Sequence, residues 1–265
     1  MVVQHNLTAM NSNRMLGITT NTQAKQTERL ASGYRINRAA DDAAGLSVSE
    51  KMRRQIRGLD QASANAQDGV SLVQSAEGAL NEVHDMLQRM NELTVKAANG
   101  TYTTTQKQYI ADEINQLISE IDRIATTTKF NDQSVLNGSG ANAKSFSFQV
   151  GNESGETMSV AISKMTATKL ATNLKNQSWS AATQYNAVAS FITVISSALE
   201  KVASQRSALG AVQNRLEHTI NNLDNIVENT TAAESRIRDT DMAKSMVSYS
   251  NNQILAQAGQ AMLAQ

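Results

Sequence analysis

The sequence contains no proline and no cysteine, and aromatic residues make up only 4 % of its 265 residues. Proline interrupts helix interiors because it lacks a backbone donor and its ring clashes with the preceding turn, so its absence favours long uninterrupted helices. The lack of cysteine excludes disulfides, thiolate metal sites and cysteine nucleophiles. The composition therefore favours long helical rods over a compact globule.

A surplus of charge of one sign is also lacking, because 24 basic side chains balance 24 acidic ones. A neutral chain has no basic field to attract nucleic acid or anionic lipid. No apolar run is long enough to span a bilayer, and the first residues, MVVQHNLTAMNSNRML, lack the apolar core of a signal peptide. We predict no nucleic-acid partner, no membrane insertion, and export outside the general secretory route if the chain leaves the cell.

Heptad periodicity is the strongest pattern that is present. Apolar or small residues occupy one heptad position at Val73, Leu80, Leu87 and Thr94, and another at Ala76, Val83, Met90 and Ala97. This pattern predicts one long helix from about Asp41 to Asn99, because Asn99-Gly100 suits a helix C-terminus. A following helix, capped by Thr104 or Thr105, is predicted to present an apolar stripe to a partner helix. The stripe comprises Ile110, Ile114, Leu117, Ile121 and Ile124.

The second half of the chain changes period twice. Apolar residues alternate with polar ones over 145–162, which predicts a β-hairpin. Heptads then resume and predict a second long helix from about Ala181 to Glu228, in which polar Gln205 and Thr219 interrupt the apolar positions and can fix the register. One apolar heptad position holds Val202, Leu209, Leu216 and Leu223. The other heptad position, which Gln205 and Thr219 interrupt, holds Val212 and Ile226.

The two ends of the chain form weak amphipathic helices with too few apolar residues to be stable alone in water. The apolar points are Val3, Leu7, Met10 and Leu16 near the N-terminus, and Met242, Met246, Ile254, Leu255 and Met262 near the C-terminus. We expect both ends to fold fully only when they pair with each other or with other copies of the chain.

Candidate chemical groups are sparse. Asp41 and Asp42 lie just before the long helix, where carboxylates accept bonds from free backbone amides, so we predict helix capping rather than an acid/base pair. Single histidines at 5, 84 and 218 have no metal-ligand spacing. We predict no catalytic residues, no cofactor and no metal site.

Several motifs together resemble the bacterial flagellins along essentially the whole chain. They are LASGYRINRAADDAAGLSVSEKM (30–52), AEGALNEVHDMLQRMNELTVKAANGT (76–101), EINQLISEIDRIATTTKFN (113–131), FQVGNESGETMSV (148–160), LGAVQNRLEHTINNL (209–223) and AAESRIRDTDMAKSM (232–246). The chain resembles a short member of the family, without the variable outer domains that many flagellins insert after the hairpin.

The resemblance implies a mainly α fold, an elongated antiparallel bundle or coiled coil with a small β-hairpin near 145–162. It implies a discontinuous inner domain of terminal helices, 1–34 with 232–265, that forms on assembly, and an outer rod of long helices over 35–231. Arg35, Arg38, Asp41 and Asp42 are then expected where the two layers join, pairing within or between subunits.

The function that the resemblance implies is that of a structural subunit, which self-assembles into the extracellular flagellar filament for motility. Export unfolded through the flagellar type III apparatus is implied, with an export chaperone at the C-terminal segment and with filament cap and hook-junction proteins as further partners. Family members usually continue beyond the LAQ of 263–265 with a short amphipathic run. The sequence is either a truncated version or naturally short here, and if the run is truly absent, polymerisation is expected to weaken or fail.

One segment implies a further partner. LQRMNEL (87–93) resembles the patch that the flagellin-sensing Toll-like receptor of animals recognises, with Leu87, Gln88, Arg89 and Leu93 matching and Glu113 on the neighbouring helix. We expect Leu87 to be buried and Arg89, Leu93 and Glu113 to make contacts, while packing between subunits is the other use of this face. Met90 and Asn91 depart from familiar receptor-activating flagellins, where basic or β-branched residues are common.

Two other classes of function stay open at this point. A secreted coiled-coil binding protein, such as a filament-hook junction protein or a type III effector, would form rings or stay monomeric in sedimentation. An enzyme is the least favoured class, because residues 131–180 leave no room for an inserted catalytic domain.

Overall fold

The computed structural model describes residues 6–138, 143–170 and 185–264, and this part of the chain is mainly helical. The helices are α1 (Leu7–Ser32), α2 (Ala43–Ala98), α3 (Thr104–Thr127), α4 (Ala167–Leu170), α5 (Tyr185–Arg238) and α6 (Met242–Ala264). The strands are β1 (Lys129–Phe130), β2 (Gln133–Ser134), β3 (Lys144–Gln149) and β4 (Thr157–Ile162). The predicted fold class, mainly α with a small hairpin, is confirmed.

The chain forms two compact units. The first contains the chain up to Gly58 together with the chain from Asn225 onward, and the second is Leu59–Asp224. The predicted assembly domains, 1–34 with 232–265 and 35–231, stay a prediction.

The core of the second unit is built from the predicted heptads. Every residue of both heptad positions of α2 from Val73 to Ala97 is buried, including the polar Thr94. The Thr94 hydroxyl donates to the Met90 carbonyl at 2.7 Å, so burial leaves its donor satisfied. The heptad residues Val202, Leu209, Leu216 and Leu223 of α5 are likewise buried. The stripe of α3 is centred slightly differently from the prediction, because Ile118 is buried whereas Leu117 and Ile124 are half-buried.

Gln205 is the buried polar interruption of the α5 heptads, and both the oxygen and the nitrogen of its amide form a hydrogen bond. Its Oε1 accepts from the Ser163 backbone N–H at 3.2 Å, and its Nε2 donates to the Ala161 carbonyl at 3.1 Å. The side chain thus fastens α5 to the end of β4, which gives a physical basis for its predicted role in register.

Two predicted element limits are wrong. The cap of α3 is Thr103, whose side chain accepts from the Gln106 backbone N–H while the Gln106 side chain accepts from the Thr103 N–H. This reciprocal capping box outcompetes Thr104 and Thr105. Helix α5 continues to Arg238 instead of ending at Glu228, because residues beyond the last apolar heptad position still include good helix formers. The predicted start at Ala181 lies outside the described residues.

The predicted hairpin is confirmed as β3 paired antiparallel with β4, with Phe146 opposite Val160 and Phe148 opposite Met158. A second, very short hairpin of β1 and β2 was not predicted. Its turn residues Asn131 and Asp132 have φ of 48° and 59°, values that Asn and Asp tolerate better than other side chains.

Candidate functional site

The first unit contains the residues that were predicted to join two layers. Asp42 is the N-cap of α2, since its Oδ1 accepts from the Gly45 N–H at 2.9 Å. A Cβ at Gly45 would lie 2.5 Å from Asp42 Oδ2, so glycine is what lets the carboxylate sit this close to the helix. Asp42 therefore performs the predicted capping.

Asp41 does not cap α2, which corrects part of the prediction. Its Oδ2 accepts from the Arg38 backbone N–H at 3.1 Å, and its Oδ1 lies 3.4 Å from Lys25 Nζ on α1. The backbone hydrogen bond from Arg38 is the main cause that lowers the pKa of the Asp41 carboxyl from its ordinary 3.8. The carboxylate closes the 38–41 turn because the turn, rather than the helix, presents the nearest free N–H.

Arg35 and Arg38 make different contacts within the same unit. Arg38 Nε donates to Glu28 Oε1 on α1 at 2.9 Å. The Arg35 guanidinium donates to the Ile237 carbonyl of α5, and the Arg35 backbone N–H donates to the Arg238 carbonyl at 2.6 Å. The predicted residues thus bind the segment after α1 to both α1 and the end of α5.

Sequence reasoning missed the group around Tyr34. The Arg238 guanidinium lies 4.5 Å from the centre of the Tyr34 ring, and Arg53 lies 5.7 Å from it while donating to the Tyr34 hydroxyl at 3.3 Å. Glu50 pairs with Arg238 at 3.1 Å, and Glu234 pairs with Arg53 at 3.2 Å. No spacing in the sequence could reveal this cluster, because its members come from distant parts of the chain.

The terminal helices α1 and α6 contact each other, as predicted. A Cβ on Gly259 would lie 3.3 Å from Leu16 Cδ1, and Ala256 is buried on α6, whereas α1 has no buried residue. The predicted assembly side chains are between 48 % and 75 % exposed. They are Leu7, Met10, Met242, Met246, Ile254 and Leu255. Val3, the remaining one, lies outside the described residues.

The paired terminal helices also form a shallow groove of about 320 Å³. Met15, Leu16, Leu255, Gly259 and Met262 are among its lining residues. The pair of helices therefore leaves an apolar face uncovered in the single chain.

The second unit contains the segment LQRMNEL on α2, facing α3. Leu87 is fully buried, as predicted. Leu93 is only 3 % exposed, so the expectation that its side chain is available for contact is wrong for the single chain; it packs in the core shared by α2 and α3. Heptad reasoning missed this, because Leu93 lies beside the buried Thr94 rather than on the stripe itself.

The exposed part of this segment is polar and charged. Arg89 donates to Glu113 Oε1 on α3 at 3.0 and 3.1 Å and to Glu92 Oε2 at 3.2 Å. The hydrogen bond that Arg89 donates to Glu113, followed by the one that it donates to Glu92, raises the pKa of the Arg89 guanidinium. Gln88 Nε2 lies 2.9 Å from His84 Nε2 on the same helix. Arg89 is thus held in one orientation across α2 and α3.

Within the described ranges, no three histidine, cysteine or acidic side chains converge as a metal site would require. His84 and His218 lie on α2 and α5, and His5 is outside those ranges. Among the same residues no helix is apolar enough over a sufficient length to cross a membrane.

The fold and these surfaces define a mainly α protein whose prominent features are exposed apolar helix faces and oriented surface charge. Family models for the N-terminal and C-terminal helical regions of bacterial flagellin match residues 3–141 and 192–265. The chain belongs to the bacterial flagellin family, a family of structural proteins.

Relatives match over the full chain. A flagellin of Halalkalibacterium halodurans is 51 % identical over 265 residues, covering 100 % of this chain and 95 % of the relative. The flagellar filament 31.3 kDa core protein of Treponema maltophilum and the flagellin of Bacillus subtilis are each 48 % identical, covering 100 % of this chain and 96 % of each relative.

Two solved structures are similar in fold. The crystal structure of Bacillus cereus flagellin has a TM-score of 0.51 and 30 % identity, covering 60 % of this chain and 88 % of that one. A putative flagellar hook-associated protein of Vibrio parahaemolyticus has a TM-score of 0.63, covering 75 % and 100 %. At 15 % identity the latter likeness shows the fold alone.

Proposed function

We propose that this flagellin is a structural subunit of the flagellar filament, which polymerises with copies of itself through the exposed apolar face of α1 and α6. The observation that carries the proposal is the set of ten large apolar side chains on these paired helices that are between 48 % and 75 % exposed, among them the six described above. Family membership supports self-polymerisation into an extracellular filament.

The energetics favour a polymer over an isolated pair of subunits. Covering a half-exposed large apolar side chain stabilises by about 1 kcal/mol, so six such side chains contribute about 6 kcal/mol. Association costs about 4–15 kcal/mol in lost translational and rotational freedom. A single contact is therefore marginal, whereas a helical lattice, in which each subunit touches several others, repeats the gain.

Substitution of Ile254 and Leu255 tests this proposal. The double variant Ile254→Gln, Leu255→Gln removes apolar area from α6 and is expected to reduce the fraction of protein that pellets after seeding with short filament fragments. Gln253→Ala is the matched control, because Gln253 is an exposed polar residue of the same helix. Equal pelleting of the double variant and the control would contradict the proposal.

The residues Arg35, Arg38, Asp41 and Asp42 are proposed to fix the connection between an inner layer of terminal helices and an outer layer of long helices. Their contacts to α1 and to the end of α5 support this role. Arg38→Ala removes the bond to Glu28 and is expected to lower assembly yield. Arg14→Ala is the control, since Arg14 is a basic residue of α1 that bonds only locally to Asn11. Unchanged yield for Arg38→Ala would count against the proposed role.

Export through the flagellar type III apparatus is proposed as the secretion route, with an export chaperone that binds the C-terminal segment. Cap and hook-junction proteins are the proposed partners at the filament ends. The uncovered apolar side chains of α6 support the chaperone, because such a face needs shielding before assembly. Co-purification of the flagellar chaperone with the full chain, weakened by Leu255→Gln and retained by Gln253→Ala, is the expected result.

Recognition of the monomer by the animal flagellin-sensing Toll-like receptor is the second proposed binding function. Its support is the exposed set Gln88, Arg89 and Glu113, with Arg89 fixed by carboxylates of both helices. Buried Leu87 and Leu93 are expected to hold the helices in place rather than to touch the receptor. An oriented arginine at the centre of an interface is a common energetic hot spot.

Arg89→Ala tests the receptor proposal. We expect it to weaken receptor binding by about thirtyfold, which corresponds to the ~2 kcal/mol that defines an interface hot spot. Arg215→Ala, which removes an exposed arginine from α5, is the control. Identical affinities of the two variants would contradict a contact at Arg89.

A further inference from the structure

Asparagine followed by glycine occurs twice in the sequence, at Asn99-Gly100 and Asn137-Gly138. We propose that Asn99 is a site of spontaneous covalent modification, at which the side-chain amide is lost through a cyclic imide formed with the Gly100 nitrogen. The two pairs are identical in local chemistry but lie in opposite environments, and that contrast is what the structure adds to the sequence.

Asn99 and Gly100 lie in the exposed turn after α2. The Gly100 N–H, whose nitrogen is the attacking atom, donates to no acceptor in the described part of the chain. A Cβ built on Gly100 would meet nothing within 4 Å, so no other group covers that side of the residue. Neither a hydrogen bond nor steric cover therefore opposes the approach.

The Asn99 side chain is hydrogen-bonded to the backbone that follows it. Its Oδ1 accepts from the Thr101 backbone N–H at 3.3 Å, and its own backbone N–H donates to the Lys96 carbonyl at 3.2 Å. The first bond holds the amide against the following backbone and withdraws electron density from Cγ. The bond from Thr101 thus makes the Asn99 Cγ carbon more electrophilic.

The reaction balances without any co-reactant except water. The Gly100 nitrogen loses its proton and attacks Cγ, forming an N–C bond, and the bond from Cγ to Nδ2 breaks so that ammonia leaves with that proton. Water then opens the five-membered imide at either carbonyl. Opening at one carbonyl yields aspartate, and opening at the other yields an isoaspartyl linkage with the main chain routed through the former side chain.

The second pair is shielded. Gly138 is buried and Asn137 is half-buried, directly after the fully buried Val135 and Leu136. The Asn137 backbone N–H donates to Ser134 Oγ at 3.3 Å, which ties this residue to β2. Imide formation there requires local opening of the structure, so folding is expected to slow it.

The modified residue has a physical consequence for the connection between α2 and α3. A new carboxylate at the C-terminal end of α2 faces the negative end of the helix dipole. The isoaspartyl product also lengthens the main chain just before the Thr103 cap. We therefore expect modified molecules to unfold at lower denaturant concentration than unmodified ones.

The test follows both sites by peptide mass spectrometry during incubation of the full-length chain at mildly alkaline pH, folded and in guanidinium chloride. We expect Asn99 to convert about tenfold faster than Asn137 in the folded chain, and the two rates to converge in denaturant, where neither site is protected. Gly100→Ala leaves the fold intact, because the added methyl meets open space, and should slow conversion at Asn99 alone. Two results would overturn the proposal: a folded-state ratio no larger than the denatured one, or unchanged conversion in Gly100→Ala.

Discussion

At the scale of single residues, the adjacent and identical side chains of Asp41 and Asp42 have different structural roles. Asp42 caps α2, whereas Asp41 closes the preceding turn and approaches Lys25. Both carboxylates accept bonds from backbone N–H groups, that of Asp41 in a turn and that of Asp42 at the start of a helix. Both observed contacts are therefore structural.

Loss of the α2 cap is the first residue-scale prediction. Asp42→Ala removes the acceptor for the Gly45 N–H and is expected to lower the free energy of unfolding by about 1 kcal/mol, the usual value of an N-cap. Asp42→Asn keeps an acceptor at the same place and serves as the control. Urea unfolding monitored by circular dichroism measures both, and equal stability of Asp42→Ala and the parent chain would contradict the assignment.

The second residue-scale prediction concerns how the stabilising effect of Asp41 depends on pH. Because its pKa is lower in the folded chain than the ordinary 3.8, its stabilising effect is complete above that value and is lost as the pH falls through the lower folded pKa. Asp41→Asn should therefore lose less stability than the parent chain on acidification below pH 3.8. Acid titration of both proteins followed by circular dichroism is the measurement, and parallel curves would refute the expectation.

The sequence could predict that a carboxylate caps α2, because helix N-capping depends only on residues that are close together in the chain. It could not assign Asp41 to a turn, since the choice depends on which N–H group is nearest after the chain has bent. The Tyr34 cluster was beyond prediction for the same reason, as Arg53 and Arg238 meet only through the tertiary fold.

At the scale of elements, periodicity predicted the long helices and the β3–β4 hairpin well. It failed for β1 and β2, because strands of two residues are too short to show an alternation. The turn residues Asn131 and Asp132 were the one signal in the sequence that pointed to the β1–β2 hairpin.

Leu93 was misjudged because a heptad position predicts which residues face the nearest helix but not how far the core extends around α2.

Gln205 provides the element-scale prediction. Gln205→Ala leaves the Ser163 N–H and the Ala161 carbonyl without their partner and is expected to destabilise the second unit by about 1–3 kcal/mol. Asn214→Ala, which truncates an exposed amide of the same helix, should change little. Denaturant unfolding of both variants decides the matter, and equal stabilities would show that the amide bridge contributes nothing.

The terminal helices carry a second prediction at this scale. They bury few side chains, so the backbone amides of α1 and α6 are expected to exchange hydrogen faster in the dilute chain than those of α2 within the second unit. Assembly should slow exchange in α1 and α6. Equal protection of all these helices in the dilute chain would contradict assembly-dependent folding of the ends.

At the scale of the whole molecule, composition and heptads predicted long helices and two terminal segments that need a partner. They did not predict what that partner is. The motifs supplied the family, and the comparisons confirm it over the full chain. What the structure adds is the location of uncovered apolar area, on α1 and α6, and of oriented charge, at Arg89. We propose that this apolar area, which one chain cannot cover, drives assembly of the filament.

The most direct measurement of this central claim is the oxidation of methionine by dilute peroxide, read residue by residue in free chains and in seeded polymers. Met10, Met242 and Met246 are exposed in the single chain, whereas Met90 is fully buried. We predict that the first three oxidise readily in free chains and become protected in the polymer, while Met90 is protected in both. Oxidation of the three terminal methionines at the same rate in polymer and free chain would contradict assembly through α1 and α6.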